Sequence, residues 1–434
     1  MLCFVFHDAD IIYCSIRAFY MVVNEMARLV NCLFLISFLD LLAVSLTVPL
    51  LSAHVKSMGA SHALIGLSSS VYAVLQFFCG PVAGSWSDIM GRQTILLLSL
   101  IFCSLSYLSL GFASHILPII FVRVILGICK HTQSLCKAIL SDVIPSKAQT
   151  EVFGRYNAIS GLGFIIGPVI GGHLAELRHG FFYVCCITCI IFLLNFCIAM
   201  IFVPKNTSNN KNESQRRDES LSGNIMMAVI HLRGLNWSLY WDAFSLKLML
   251  AFSVSMLFSN YSLSLQERFD LPPSAIGYTI SFQSILGAVS GFGAGAVYRM
   301  YDEGPAKLTQ HGFIVLAVSF SLIVFCSSLW LFMLALAPLV ISTSILRTSL
   351  SQWSLEQAPP DQKGSVLGAQ HSLSALARMS APFVAGITQS VCGPKGPSLI
   401  SLFSSLLGIV IASRVSERER EMNILSSSTK KHKD

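Results

Sequence analysis

Charge is scarce in this sequence. Asp, Glu, Lys and Arg make up 12% of its 434 residues, about half of the roughly 25% usual in a soluble domain. That shortage excludes an ordinary soluble enzyme. A hydrophobic share of 54% excludes a disordered chain. Clustered cysteines are scarce as well. Most of the 13 Cys are scattered singly; the exceptions are Cys185-Cys186 and one CxxC, Cys186-Ile187-Thr188-Cys189, set in an apolar run. Neither a zinc site nor a disulfide framework is indicated, and the thiols read as small apolar residues. No basic stripe interleaved with aromatics supports nucleic-acid binding, despite a net charge of +7. No nucleophile–base pair, metal-ligand spacing or phosphate loop is visible, so neither an enzyme nor a bound cofactor is expected. Gly291-Phe292-Gly293-Ala294-Gly295 lies in an apolar run with no strand before it, and is not a nucleotide fingerprint.

What the sequence does have is repeated apolar runs of about 20 residues, the length a helix needs to cross a bilayer. They predict an all-α membrane protein of twelve transmembrane helices. The helices are expected at 30–52, 64–83, 94–113, 116–140, 154–176, 181–203, 243–263, 275–298, 308–327, 329–351, 364–390 and 396–415. Residues 204–240 are polar and low in complexity and read as a linker. The chain thus divides into a lead (1–29), a six-helix bundle (30–203), the linker, a second bundle (241–415) and a tail (416–434). The lead carries His7, Asp8, Asp10 and Arg17, which argues against a signal peptide or a span. An interfacial helix or a disordered lead fits it better.

Lys and Arg set the expected orientation. The linker, the loops on its side and the C-terminal tail hold seventeen of them, against Lys56, Arg178, Arg268 and Lys395 on the far side. The positive-inside rule then puts the linker and both termini in the cytosol. The sequons at Asn206, Asn212 and Asn236 would stay unmodified there. Plasma and internal membranes share this bias, so the organelle stays open.

The two bundles repeat each other. At an offset of 211, Ile65-Gly66 falls on Ile276-Gly277, Gly80 on Gly291 and Gly84 on Gly295. Further along the offset is 214, and Pro145, Gly154, Pro168 and Gly172 fall on Pro359, Gly368, Pro382 and Gly386. Two parallel six-helix repeats around a cavity describe the major facilitator architecture.

Several motifs carry a family resemblance. Gly84-Ser85-Trp86-Ser87-Asp88-Ile89-Met90-Gly91-Arg92-Gln93 resembles the major facilitator motif between spans two and three. Arg123-Val124-Ile125-Leu126-Gly127 resembles the span-four motif. The stretch from Gly163 through Gly167-Pro168 to Gly171-Gly172 resembles the span-five motif of proton-coupled antiporters. Asp40, nine residues before Pro49, resembles the tetracycline-efflux-like branch. The resemblance covers nearly all of residues 30–415. It implies a cytoplasmic gate at Gly84, Asp88, Gly91 and Arg92, and antiport with the span-five bend sealing against proton leak. Gln93 departs from the pattern, where a second basic residue is usual, and Arg299 stands at the position repeating Asp88.

Each motif also has a physical reading of its own. Asp88 and Arg92 are four apart and can pair on a helix. Gly163, Gly167 and Gly171 present one small-residue face for close helix contact, and Pro168 can bend the helix.

Ionisable groups inside the spans are the most informative feature, because each costs several kcal/mol at membrane depth (about 2.5–3.5 on insertion scales) and usually faces a cavity. Arg123, Lys130 and Lys137 are seven apart, nearly two turns, and are expected to share one face. Arg347 and Arg378 are further candidates for the cavity. Lys247, near a span end, is expected to snorkel. Asp40 is the only carboxylate well inside a span, and either carries a proton or neutralises one of the cations. His131 either titrates, its ordinary pKa being near about 6.5, or simply packs.

Together these features predict a secondary transporter of a small organic solute, working by alternating access with membrane lipid around it and no oligomer required. The solute is expected to be anionic or polar, and protons are the expected coupling ion. A proton-independent uniporter or exchanger remains open. So does a non-transporting receptor or scaffold, whose cavity would be apolar and free of ionisable residues.

Overall fold

The computed structural model describes residues 2–205, 237–301, 304–359 and 362–431. The linker expected at 204–240 and the three sequons at Asn206, Asn212 and Asn236 fall almost wholly outside the described residues.

The described chain is helical. The first half comprises α1 (Leu2–Ser57), α2 (His62–Met90), α3 (Arg92–Gly111), α4 (Ile116–Cys129), α5 (Thr132–Val143), α6 (Ser146–Ala175) and α7 (Gly180–Phe202). The second comprises α8 (Trp237–Ser259), α9 (Tyr261–Phe269), α10 (Pro273–Met300), α11 (Pro305–Phe325), α12 (Leu329–Glu356), α13 (Lys363–Cys392) and α14 (Gly396–Lys431). Eleven stretches are long and apolar enough to cross a membrane, and the last, Lys363–Arg418, contains both α13 and α14. A 3-10 turn at Gly393–Lys395 separates that pair, with Gly393 at a φ of 68°. The chain is therefore a multi-pass membrane protein with twelve crossings.

Two crossings are built from two helices each, which the hydrophobic pattern did not show. Span four breaks between α4 and α5 at Lys130-His131, and span seven breaks between α8 and α9 at Asn260. Neither break contains Gly or Pro; Asn260 is a residue that can end a helix, whereas Lys130-His131 gives no conventional stop signal.

Each half packs its own core. In the first, Leu33, Leu96, Leu100, Ile139 and Tyr156 are buried together, and in the second Leu246, Phe313, Phe320, Leu339 and Leu350. The halves meet where α2 lies along α13 and α6 along α10. Gly66 on α2 abuts the backbone of Pro382 and Gly386, and Gly277 on α10 abuts that of Pro168 and Val169. Both contacts are repeats of one another at the offsets seen in the sequence. A side chain at either glycine would hold the backbones apart.

Candidate functional site

The break in span four creates the first feature of the site. After Lys130 the helix cannot continue its bonding pattern, and the polar backbone groups this frees must find partners inside the membrane. Ser99 on α3 donates to the Cys129 carbonyl at 2.6 Å, and its oxygen accepts from the His131 N–H at 3.4 Å. Gln76 on α2 donates to the Lys130 carbonyl at 3.1 Å. These contacts hold the kink open.

The kink also separates the three cations of span four. Lys130 turns into the first half, where its Nζ lies 2.9 and 3.1 Å from the two oxygens of Asp40. Gln133 donates to Asp40 Oδ2 at 3.0 Å and accepts from Tyr156 and Ser37. The Asp40 side chain is fully shielded. Arg123 lies over the Tyr72 ring at 4.5 Å, and Lys137 over the Tyr156 ring at 5.6 Å. The seven-residue spacing therefore does not yield one continuous charged face: a helix break resets the phase in its middle.

The second feature is the central cavity. One lobe, about 490 Å³, is walled by the second half and holds Lys247, Arg347, His371 and Arg378. The other, about 590 Å³, lies between the halves and holds Arg123, His131 and, again, Arg378. Ser255 and Phe258 also line both lobes, so the two adjoin. Four Lys and Arg side chains line this space with no carboxylate among the lining residues. The one buried acid nearby, Asp40, is closed off by Lys130. His131 enters the cavity wall with its Nε2 buried and without a hydrogen-bond partner.

The gate motif forms its expected pair, and more. Asp88 ends α2, Gly91 turns at a φ of 95°, and Arg92 opens α3 with 2.6 Å to Asp88 Oδ1. Arg92 also reaches Asp142 at the end of span four, at 2.9 Å. In the second half Tyr298 donates to Glu356, the repeat of Asp142, at 2.7 Å. Gln93, where a basic residue is usual, turns inward and donates to the Ala199 and Met200 carbonyls of α7. The repeated small residues of α6 behave as close-contact points. Gly163, Gly167 and Gly171 abut the α1 segment from Phe38 to Leu46, while Gly172 abuts Pro273 of the second half. Gly84 meets nothing within 4 Å.

Between the halves, the polar contacts gather on the side away from the linker. His62 contacts Glu267 at 2.6 Å, and His173 contacts the Tyr278 hydroxyl at 2.9 Å. The Ser274 N–H donates to Glu176 at 3.1 Å, and the Phe383 N–H to Ser70 at 3.1 Å. Ser281, the repeat of Ser70, donates to the Ile165 carbonyl at 2.5 Å. Nearer the linker, Gly154, Gly291, Gly295 and Gly368 face open space. The far ends are clasped, and open space lies beside these glycines nearer the linker.

This two-bundle arrangement has counterparts among known proteins. The sequence profile of the Major Facilitator Superfamily matches residues 33–382 and 243–431. The chain belongs to that superfamily. It is 24% identical over 382 residues to the quinolone resistance protein NorA of Staphylococcus aureus, spanning 86% of this chain and 93% of that protein. It is 28% identical over 303 residues to the class B tetracycline resistance protein of Escherichia coli, spanning 68% and 72%. Among solved structures, the human organic anion transporter MFSD10 is similar with a TM-score of 0.64 and 23% identity, covering 89% of this chain and 99% of that one. A bacterial homologue of the human lysosomal transporter Spinster is similar with a TM-score of 0.73 and 14% identity, covering 90% and 96%.

Within this superfamily fold, the structure rearranges the candidate list. Arg123, His131, Arg347 and Arg378 come together around the cavity. Asp40 and Lys130 form a pair of their own behind its wall. Lys247, expected to snorkel, instead points into the cavity, 2.5 Å from Ser351 and 2.8 Å from Gln370. His371 lines the same wall, and sequence reasoning passed over it. Its signal was present: it lies seven residues before Arg378, on the same face of α13.

Proposed function

We propose that this chain is an alternating-access carrier of anionic organic solutes, with both termini in the cytosol. The observation that carries the reading is the central cavity, lined by Arg123, Lys247, Arg347 and Arg378 without a carboxylate. Cations at membrane depth are retained where they meet a charge-bearing ligand or pathway. A cationic substrate would find no opposite charge there, because Lys130 already occupies Asp40. MFSD10, an organic anion transporter of similar fold, supports the same solute class. The far-side clasps and the open space beside the linker-side glycines support a state open toward the cytosol.

Proton exchange is the coupling we propose, at the Asp40–Lys130 pair. A proton on Asp40 would remove the attraction that holds Lys130, and so change which bundle contacts are favoured. A proton-independent exchanger is the second reading. It is favoured by the pair itself, since Lys130 neutralises Asp40 without any proton.

The test is ligand-dependent thermal stabilisation of the purified protein with matched carboxylates, amides and amines. A ligand bound only to the folded state adds about 2.7 kcal/mol at a hundredfold excess over Kd. Carboxylates are expected to raise the unfolding temperature of the wild type and to lose this effect with Arg378→Gln. Stabilisation by amines alone would overturn the reading. For coupling, a pH gradient should drive carboxylate flux into proteoliposomes with the wild type and not with Asp40→Asn. Equal flux would favour the exchanger.

A further inference from the structure

The four cavity cations are not equivalent. Arg123 is engaged: its guanidinium stacks on Tyr72 and one nitrogen lies 3.5 Å from Ser69. Lys247 is engaged as well, by Ser351 and Gln370. The Arg347 and Arg378 side chains are exposed to the cavity and donate to no described residue. They stand on α12 and α13 and line the same lobe, two like charges with no acid between them. A guanidinium offers five donors in a planar fork that fits a carboxylate or phosphate edge, so a bound anion there would both fill the forks and remove the repulsion.

The opposite end of the cavity has a different chemistry. Past Arg378 and Phe258, the first-half wall sets Val48, Tyr72 and Phe77 among the polar Ser69, Gln76 and His131, with Arg123 covered by the Tyr72 ring. A small hydrophilic anion would leave the Tyr72 and Phe77 rings wet. An aromatic or aliphatic body would cover them.

We propose that the cavity is a two-ended site for an amphipathic organic anion, its acidic head between Arg347 and Arg378 and its apolar body against Tyr72, Phe77 and Phe258. This rests on the anion reading above and narrows it. It also divides the work between the bundles. The head would meet the second half and the body would reach the aromatic side chains of the first, so the solute itself bridges the two bodies that must move relative to each other.

The experiment measures binding of benzoate, biphenyl-4-carboxylate, their primary amides and succinate to the full-length protein in lipid nanodiscs. Biphenyl-4-carboxylate is expected to bind at least about tenfold more tightly than benzoate, from the additional apolar surface buried. Each acid is expected to bind at least about tenfold more tightly than its amide, from the charge-assisted hydrogen bonds. Arg347→Gln and Arg378→Gln should abolish the acid-over-amide preference and keep the preference for the longer aryl body, while Arg378→Lys should restore part of it. Phe77→Ala and Phe258→Ala should do the reverse, and an unchanged unfolding temperature without ligand shows that each variant is folded. Succinate binding as tightly as the biphenyl acid would overturn the two-ended site and leave the anion reading standing. Amides equal to acids in the wild type would overturn both. Loss of the acid preference in Arg123→Gln but not in Arg378→Gln would move the head to the first half and overturn this assignment.

Discussion

The Asp40 carboxylate and the Lys130 ammonium meet behind the cavity wall, 2.9 Å apart, with Gln133 completing the carboxylate's shell. Of the two roles the sequence left open for Asp40, proton carrier or partner of a buried cation, the second has its contact in place. What is left facing the cavity is one-signed. This single pairing turns a mixed set of buried charges into a cationic chamber.

The pair has a direct energetic consequence. Removing one partner leaves the other charge buried and uncompensated, which costs about 3–5 kcal/mol. Asp40→Ala and Lys130→Ala should each lower the unfolding temperature strongly. Asp40→Ala combined with Lys130→Met should recover most of the loss, because no orphan charge remains. Calorimetry of the four proteins in the same nanodiscs checks this. Additive losses in the double variant would mean that the two groups do not stabilise each other.

The kink in span four depends on Ser99, which donates to the Cys129 carbonyl and accepts from the His131 N–H. Ser99→Ala removes both of these bonds and leaves only the local bond from the His131 N–H to the Cys129 carbonyl at 3.0 Å. Each lost hydrogen bond costs about 0.5–1.5 kcal/mol, and the local alternative is to straighten the helix. Straightening would swing Lys130 away from Asp40. Ser99→Ala should therefore destabilise the protein and raise hydrogen exchange at residues 129–135, whereas Ser109→Ala, whose hydroxyl bonds only within its own helix, should do neither.

Most of the fold was legible because twenty-residue apolar runs and a repeat at fixed offset are properties of the sequence itself. The glycine matches at Gly66 and Gly277 turned out to be the points where the halves touch. The motif pair Asp88–Arg92 formed, but across the turn at Gly91 rather than within one helix. The site was less legible. Helix periodicity carried Arg123, Lys130 and Lys137 along one face, but partners on α2 and α3 stabilise a break that no local residue signals. Lys247 was misplaced for a related reason. Its distance from the span end favoured snorkelling, while Ser351 and Gln370, over a hundred residues away in the chain, supply the acceptors that hold it inward.

The far-side clasp at Glu176 should respond to acid. The carboxyl accepts hydrogen bonds from Ser274 across the two halves, which hold its pKa below the usual carboxylate range. This bond exists only when the far side is closed, so closure favours the ionised form. The contribution is therefore complete above the ordinary carboxylate range and is lost as the pH falls through the lowered value. Spin labels at Ser57 and Gln266, in a background with the exposed Cys197 and Cys392 replaced by Ser, report the far-side separation. That separation should widen on acidification in the wild type. The part of the response due to this clasp should be absent in Glu176→Gln.

Closure of the far side itself rests on backbone approach at Gly66 and Gly277. At each position an added Cβ would collide with the opposing backbone, Pro382 in one case and Pro168 in the other. Backbone cannot yield as a flexible side chain would, so Gly66→Val and Gly277→Val should each force α2 from α13, or α6 from α10. The bundles have another arrangement available, because Gly84, Gly154, Gly295 and Gly368 near the linker face open space and leave room for the opposite ends to close. The variants are therefore expected to shift toward a far-side-open state rather than simply to unfold. The same spin-label pair should show a longer distance, while anion binding to the cavity persists and flux falls by about tenfold or more, since a carrier biased by about 1.4 kcal/mol spends a tenth as long in the other state. Gly84→Val and Gly368→Val should bias in the other direction and leave the far-side distance short. If all four variants kept the short far-side distance and full flux, glycine contact would not be what sets the conformational balance.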